Sequence, residues 1–163
     1  MKYSGITKTS FVNGEGARTV LWLSGCSHHC VECQNPDSWD ASNGYIFTHA
    51  TEVELFSYVD TSVIDGLTLS GGDPLYVGNR LGVLKLCKNF KQRYGNKKTI
   101  WLYTGYLWEQ VKDLEIMKYI DVLVDGPFMS RLSSFNFKYR GSSNQCIIDV
   151  FKSLGYGEKV LWE

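Results

Sequence analysis

The 163-residue chain carries no net charge, because its 17 Lys and Arg residues are balanced by 17 Asp and Glu. That balance argues against a nucleic-acid partner, since a surface that gathers phosphates needs a basic excess. Long apolar runs are missing too. Those that exist, such as Val20–Leu23, stop after four or five residues, far short of the ~20 needed to span a bilayer, so no membrane role is expected. The opening Met1–Arg18 is polar and glycine-rich, without the apolar stretch of a secretory signal. Prolines number only three, and no repeat, low-complexity tract or linker marks a boundary. One domain over residues 1–163 is therefore expected. It is too short for a complete eightfold β/α barrel, which takes at least ~200 residues. Disorder is excluded by what is plentiful: 44% of the residues are hydrophobic and 14% aromatic.

Cysteines are few but crowded. Of five, Cys26, Cys30 and Cys33 fall within eight positions. An odd count with such spacing reads as metal ligands or redox groups in a reducing compartment, here the cytoplasm, rather than as disulfide staples.

Short β-rich runs alternate with helix-like stretches. Strands are expected at Thr19–Ser24, Leu67–Ser70, Thr99–Thr104 and Asp121–Val124, with Cys146–Phe151 as one more. Between them, Thr51-x-x-Glu54 has the form of a capping box, with Val53, Phe56 and Val59 as the helical face behind it. Asn79–Tyr94 reads as an amphipathic helix buried through Leu81, Leu84, Cys87, Phe90 and Tyr94, and Leu107–Tyr119 as another. Strands joined by crossover helices imply an α/β fold with a mainly parallel sheet, as a partial, open β/α barrel. Ligands bind beyond the carboxyl ends of such strands. The loops Gly25–Cys33, Gly71–Asp73, Thr104-Gly105 and Asp125-Gly126 should then share one edge and face one site.

Two motifs at that edge carry chemistry. Cys26-x3-Cys30-x2-Cys33 follows a strand directly, and three thiolates on so short a loop can meet at one metal centre. Two readings are open. A zinc site would complete a Cys3His set with His28, His29 or a distant cysteine. An iron–sulfur cluster held by three cysteines would leave one iron free for a substrate. The second motif, Ser70-Gly71-Gly72-Asp73-Pro74, ends a strand with two glycines, which lets backbone approach a ligand closely. His28, His29 and His49 read as solvated residues, Cys87 and Cys146 as buried thiols, and the five tryptophans as mostly core, with Trp39 placed to shield the cluster loop. Arg140–Gln145 is polar and is expected to meet a partner or close the site.

Together these residues resemble the radical S-adenosylmethionine superfamily, with its Cys-x3-Cys-x2-Cys loop and strand-end Gly-Gly motif. Within it the chain is most similar to the activating proteins of anaerobic (class III) ribonucleotide reductases. Asn13-Gly14-Glu15-Gly16-Ala17-Arg18, Ser24-Gly25-Cys26, Ser70–Leu75, Trp101–Tyr106, Val122–Gly126 and Arg140–Gln145 all match. Glu32 stands where an aromatic is common in the superfamily, and Glu15 where the activators carry proline. The resemblance implies a [4Fe–4S] cluster on Cys26, Cys30 and Cys33, with S-adenosylmethionine chelated at the open iron. It assigns cofactor contacts to Glu32, Cys33, Gln34, Asn35, Gly71, Gly72, Asp73, Thr104 and Asp125. It implies reductive cleavage of the sulfonium, using electrons from a flavodoxin-like carrier, and a glycyl radical placed on the reductase large subunit. No acid–base residue is required, since the cofactor carries the reaction. A pyruvate formate-lyase-type activator, another small radical enzyme and a non-catalytic zinc module are the alternatives.

Overall fold

The computed structural model describes residues 1–163 and contains one seven-stranded sheet. Its strands are β1 (Lys2–Ser10), β2 (Arg18–Leu23), β3 (Tyr45–Ile46), β4 (Gly66–Gly71), β5 (Thr99–Tyr103), β6 (Val122–Asp125) and β7 (Cys146–Asp149). The helices are α1 (His49–Val59), α2 (Arg80–Tyr94), α3 (Trp108–Val111) and α4 (Val150–Tyr156). Strand order is β3-β1-β2-β4-β5-β6-β7. The central four, β2, β4, β5 and β6, are parallel, whereas β3, β1 and β7 join antiparallel at the flanks. The sheet does not close, so the expected partial, open α/β architecture with a parallel centre is what the chain forms.

Register separates the two faces. Leu21 lies beside Leu69, Leu69 beside Leu102, Leu102 beside Leu123 and Leu123 beside Ile148. This apolar row packs with Leu55, Phe56 and Val59 of α1 and Val83, Leu86, Cys87 and Phe90 of α2 in a 25-residue core. Each fully buried leucine contributes about 2 kcal/mol. The alternate residues face the other way, with Trp22 beside Ser70, Thr68 beside Trp101 and Tyr103 beside Val124. Trp101, Tyr139 and Trp162 stack edge-to-face over part of this second face.

At the amino ends of the parallel strands lies Arg18, only 1% exposed. Its five N–H bonds are all used. Nε donates to Thr68 Oγ1, Nη1 to Thr99 Oγ1 and the Glu15 carbonyl, and Nη2 to the Leu67 and Thr99 carbonyls. Burial pushes the guanidinium pKa down to about 10, still charged at neutral pH, and no carboxylate bonds to it. The fork clamps β2, β4 and β5 together where they begin.

Several local expectations are corrected. The polar opening forms β1, in which Ser4, Lys8 and Thr9 are exposed and Ser10 is buried at the strand's end. The helix cap lies one turn earlier than Thr51-x-x-Glu54: Thr48 accepts from Thr51 N, and Thr51 Oγ1 accepts from Thr48 N. Of the expected face, Phe56 and Val59 are buried, joined by Leu55, whereas Val53 is 56% exposed. In α2 the buried stripe is Val83, Leu86, Cys87, Phe90 and Tyr94, and Leu81 projects into solvent from the first turn. The helix expected over Leu107–Tyr119 breaks, because Leu114 is extended (ψ 137°) between α3 and a 3-10 turn at Glu115–Tyr119. Cys146–Phe151 is strand only to Asp149, whose side chain caps α4.

Arg18→Met should lower unfolding free energy by about 3 kcal/mol, because it strands several buried acceptors; denaturant titration of the two proteins measures this. Cys87 is fully buried, and its thiol is pushed up to about 12 by desolvation. In the folded protein at pH 8 it should resist alkylation while Cys30 and Cys33 react, as peptide mass spectrometry will read.

Candidate functional site

Parallel strands deliver their following loops to one edge. There a cavity of about 280 Å³ is lined by residues from all four loops expected at that edge. After β2 come Cys26, His28, Cys30, Cys33, Gln34 and Asn35; around the end of β4, Ser70, Gly71, Gly72 and Asp73; after β5, Thr104 and Gly105; after β6, Gly126 and Phe128. A larger cavity of about 570 Å³ opens at the opposite edge, beside Glu15, Asp65, Lys97 and Trp162, and holds none of these groups.

The cysteine loop is pinned at its base, where Gly25 N donates to Ser38 O and Cys26 N to Trp39 O. Left-handed backbone at His29 (φ 47°) and Glu32 (φ 56°) folds the loop back on itself. All three thiols are free and half-buried, and they share the cavity without being drawn into a closed ligand set. Backbone amides of His28 and Asn35 point at the sulfurs of Cys26 (3.5 Å) and Cys33 (3.4 Å), the bonding that stabilises thiolate character around iron–sulfur centres. Burial pushes the Cys26 thiol up, so a bound cation is what would favour its ionised form.

Gly71 and Gly72 permit the close approach of β4 to this loop. Gly71 has φ +103°, and a Cβ there would stand 2.6 Å from Leu23 backbone. A Cβ on Gly72 would stand 2.6 Å from Gly25 O and 2.8 Å from Ser38 O. The Gly72 and Asp73 amides donate to Leu23 O and Gly25 O. With its donors spent, this edge offers carbonyl oxygens.

Asp73 is 1% exposed. Oδ1 accepts from Leu75 N (2.7 Å) and Thr104 Oγ1 (2.9 Å). Oδ2 accepts from Gly105 N (3.0 Å) and lies 2.9 Å from Thr104 Oγ1 and 2.7 Å from His28 Nε2. One carboxylate thus joins the loops after β2, β4 and β5.

Of the residues assigned to the cofactor from sequence, Cys33, Gln34, Asn35, Gly71, Gly72, Asp73 and Thr104 line the cavity. Glu32 is exposed and outside the lining; its backbone serves the turn. Asp125 is sealed (1% exposed) and spends its carboxylate on Trp108 N and Cys146 N. His28 is no solvated loop residue, because it is bonded to Asp73 and packs edge-on against Tyr106 at 4.5 Å. Cys146 is half-buried rather than sealed, with Lys159 Nζ 3.6 Å from its sulfur. Trp39 stacks at 4.7 Å on His29; with Trp22 and Trp162 it is half-buried, so only Trp101 and Trp108 are truly core. Gly141 and Gln145 reach the cavity, and Gln145 is held by Gly126 O and by the amides of Gly141 and Ser142. Asn13, Trp22, Ser70 and Tyr103 were given no cofactor role from sequence, yet they line the cavity. Strand alternation opposite Leu69 and Leu102 was the available signal for Ser70 and Tyr103.

Comparison with known proteins places this geometry. The model of the 4Fe-4S single cluster domain matches residues 12–148. An anaerobic ribonucleoside-triphosphate reductase-activating protein of Enterobacteria phage T4 is 46% identical over 145 residues, covering 89% of this chain and 92% of the relative. The protein of that description from Vibrio cholerae is 38% identical over 151 residues (90% and 97%), and that from Escherichia coli K12 is 36% identical over 151 residues (90% and 97%). With the cysteine loop inside the matched domain and the similarity running through nearly all of each relative, the chain belongs to the family of anaerobic ribonucleoside-triphosphate reductase-activating proteins.

Proposed function

We propose that the chain is a radical S-adenosylmethionine oxidoreductase that activates an anaerobic ribonucleoside-triphosphate reductase by generating a glycyl radical on its large subunit. The observation that carries this reading is the meeting of three free thiols and the Gly71-Gly72 edge in one cavity at the ends of parallel strands. The donor set fits a [4Fe–4S] cluster on Cys26, Cys30 and Cys33. Cys87 is sealed in the helix-side core and Cys146 belongs to β7, so neither joins the loop, and one iron would be left for the substrate. Held by Cys26, Cys30 and Cys33, such a cluster would supply the electron for reductive cleavage of S-adenosylmethionine, and with it the hydrogen-abstracting chemistry that a glycyl radical on the reductase requires.

The chain's own residues bind and orient. Carbonyl oxygens at Gly71 and Gly72 suit the methionine ammonium, because the nearby amides are already spent on Leu23 and Gly25. Gln34 and Asn35 border the same space, and Thr104 and Asp73 fix the loop floor beneath it. A flavodoxin-like carrier is the reductant in this reading, and five free cysteines suit a reducing cytoplasm. No helix is long and apolar enough to cross a membrane.

One observation favours a second reading. Asp73 holds His28 by Nε2 and leaves Nδ1 free, which is how a carboxylate orients a metal-ligating histidine. A Cys3His zinc site would use that nitrogen.

Anaerobic reconstitution separates the two. The proposal expects about four iron and four sulfide per chain, and a glycyl-radical doublet by electron paramagnetic resonance once S-adenosylmethionine, reductant and the large subunit are added. Zinc without iron or sulfide, or no radical on the subunit, would end it. A radical on pyruvate formate-lyase but not on the reductase would reassign the partner. Replacing Cys26, Cys30 or Cys33 by Ala should abolish the iron–sulfur absorbance, whereas Cys87→Ala should keep it. Gly72→Ala should raise the KM for S-adenosylmethionine at least about tenfold, since the new methyl displaces the backbone of Gly25 or Ser38.

A further inference from the structure

We infer that His28 is a positioning residue, which docks the cysteine loop onto the strand-end carboxylate of Asp73 and so sets the distance between the thiols and the Gly71-Gly72 edge. The inference deepens the proposed function and rests on it for the cofactor readout below. Both oxygens of Asp73 are filled by protein donors, from Leu75, Thr104, Gly105 and His28. Nothing is left over for a ligand, so this carboxylate acts through the groups that it holds. Of those, only His28 belongs to the cysteine loop, between Cys26 and Cys30.

The contact is specific in direction. Oδ2 already accepts from Gly105 N–H and a carboxylate has no hydrogen to give, so Nε2 is assigned as the donor, and the ring has one orientation. Tyr106 closes on the ring edge-on, and Gly105 lies so close that a Cβ there would clash with the imidazole. The side chain is 18% exposed, and the 2.7 Å bond ends on a carboxylate that is 1% exposed. A bond to a charged acceptor in so enclosed a place is worth more than a neutral surface one. Elsewhere the loop is tied at its base, by Gly25 N and Cys26 N to Ser38 O and Trp39 O and by Asp73 N to Gly25 O, and His29 packs against Trp39. Immediately after His28 the backbone turns left-handed, so without the latch the arch carrying Cys30 and Cys33 has no side-chain anchor to β4 or β5.

The test compares wild type, His28→Phe and His28→Gln. Phenylalanine keeps the ring packing against Tyr106 and removes the donor; glutamine places an amide N–H near the position of Nε2. In the metal-free protein, amide hydrogen exchange over residues 26–33 should accelerate about tenfold or more in His28→Phe and return towards wild type in His28→Gln. After reconstitution, iron content should hold in both variants. The KM for S-adenosylmethionine should rise about ten- to a hundredfold in His28→Phe and recover in His28→Gln, a range corresponding to loss of one hydrogen bond to a charged group. Unchanged exchange in His28→Phe overturns the latch. Faster exchange with an unchanged KM overturns the positioning role. Loss of metal from His28→Gln as well as His28→Phe overturns it too, because glutamine preserves the donor but not a ligating imidazole. A wild-type protein that binds no iron, or makes no radical, defeats the proposed function instead; the exchange contrast then still decides the latch.

Discussion

A guanidinium sealed beneath three parallel strands fixes the frame on which everything else stands. Arg18 spends all five donors on the backbone and hydroxyls of β4, β5 and the preceding loop, so β2, β4 and β5 cannot slide past one another without leaving a buried charge unsatisfied. Parallel strands locked at their starts emerge level at their ends. That level edge is what brings the cysteine loop, Gly71–Asp73 and Thr104-Gly105 around one cavity.

A second buried charge, of opposite sign, does for the loops what Arg18 does for the strands. Asp73 sits at the other end of β4 and collects its donors from three consecutive strand-end loops. Neither charge is neutralised by a full ion pair with an oppositely charged permanent ion. Each is satisfied by directed bonds, which fix geometry at the cost of tolerating almost no displacement. The helix side needs no such device. Its leucine rows and the stripes of α1 and α2 are held by apolar burial, which is non-directional and sets stability rather than the placement of a site.

Much of this was legible in the sequence, because it depends on local pattern. The four parallel strands follow from short β-branched and aromatic runs ended by glycine, and their order with crossovers implied the shared edge. The three cysteines and the Gly-Gly pair announce themselves by spacing. What was missed depends on contacts between distant residues. His28 looked solvated because nothing near it in sequence is a partner; Asp73 is 45 positions away, and only the fold brings them together. β1 was unreadable because Thr- and Ser-rich flank strands lack an apolar alternation. In α2, two overlapping stripes share Cys87, Phe90 and Tyr94, so periodicity alone could not choose Val83 and Leu86 over Leu81 and Leu84. Asp125 was placed on the right strand end but not on the right role, since its bonds to Trp108 and Cys146 are invisible before β7 is known to be antiparallel.

The open sheet bears on what kind of substrate the site suits. Trp101, Tyr139 and Trp162 stack over part of the helix-free face, and the carboxyl-end row of Trp22, Ser70 and Tyr103 lines the cavity. The cavity, about 280 Å³, lies at the bottom of the range for pockets that enclose a small molecule, roughly 300–1,000 Å³. A metabolite enzyme with this site would have to supply further walls from its own chain. An activator need not, because a loop of its protein partner can form the missing wall as it docks. Gly126, Phe128, Gly141 and Gln145 already border the site, and Gln145 is tied to Gly126. That border is held in place before anything binds, and a partner loop would meet a preformed rim.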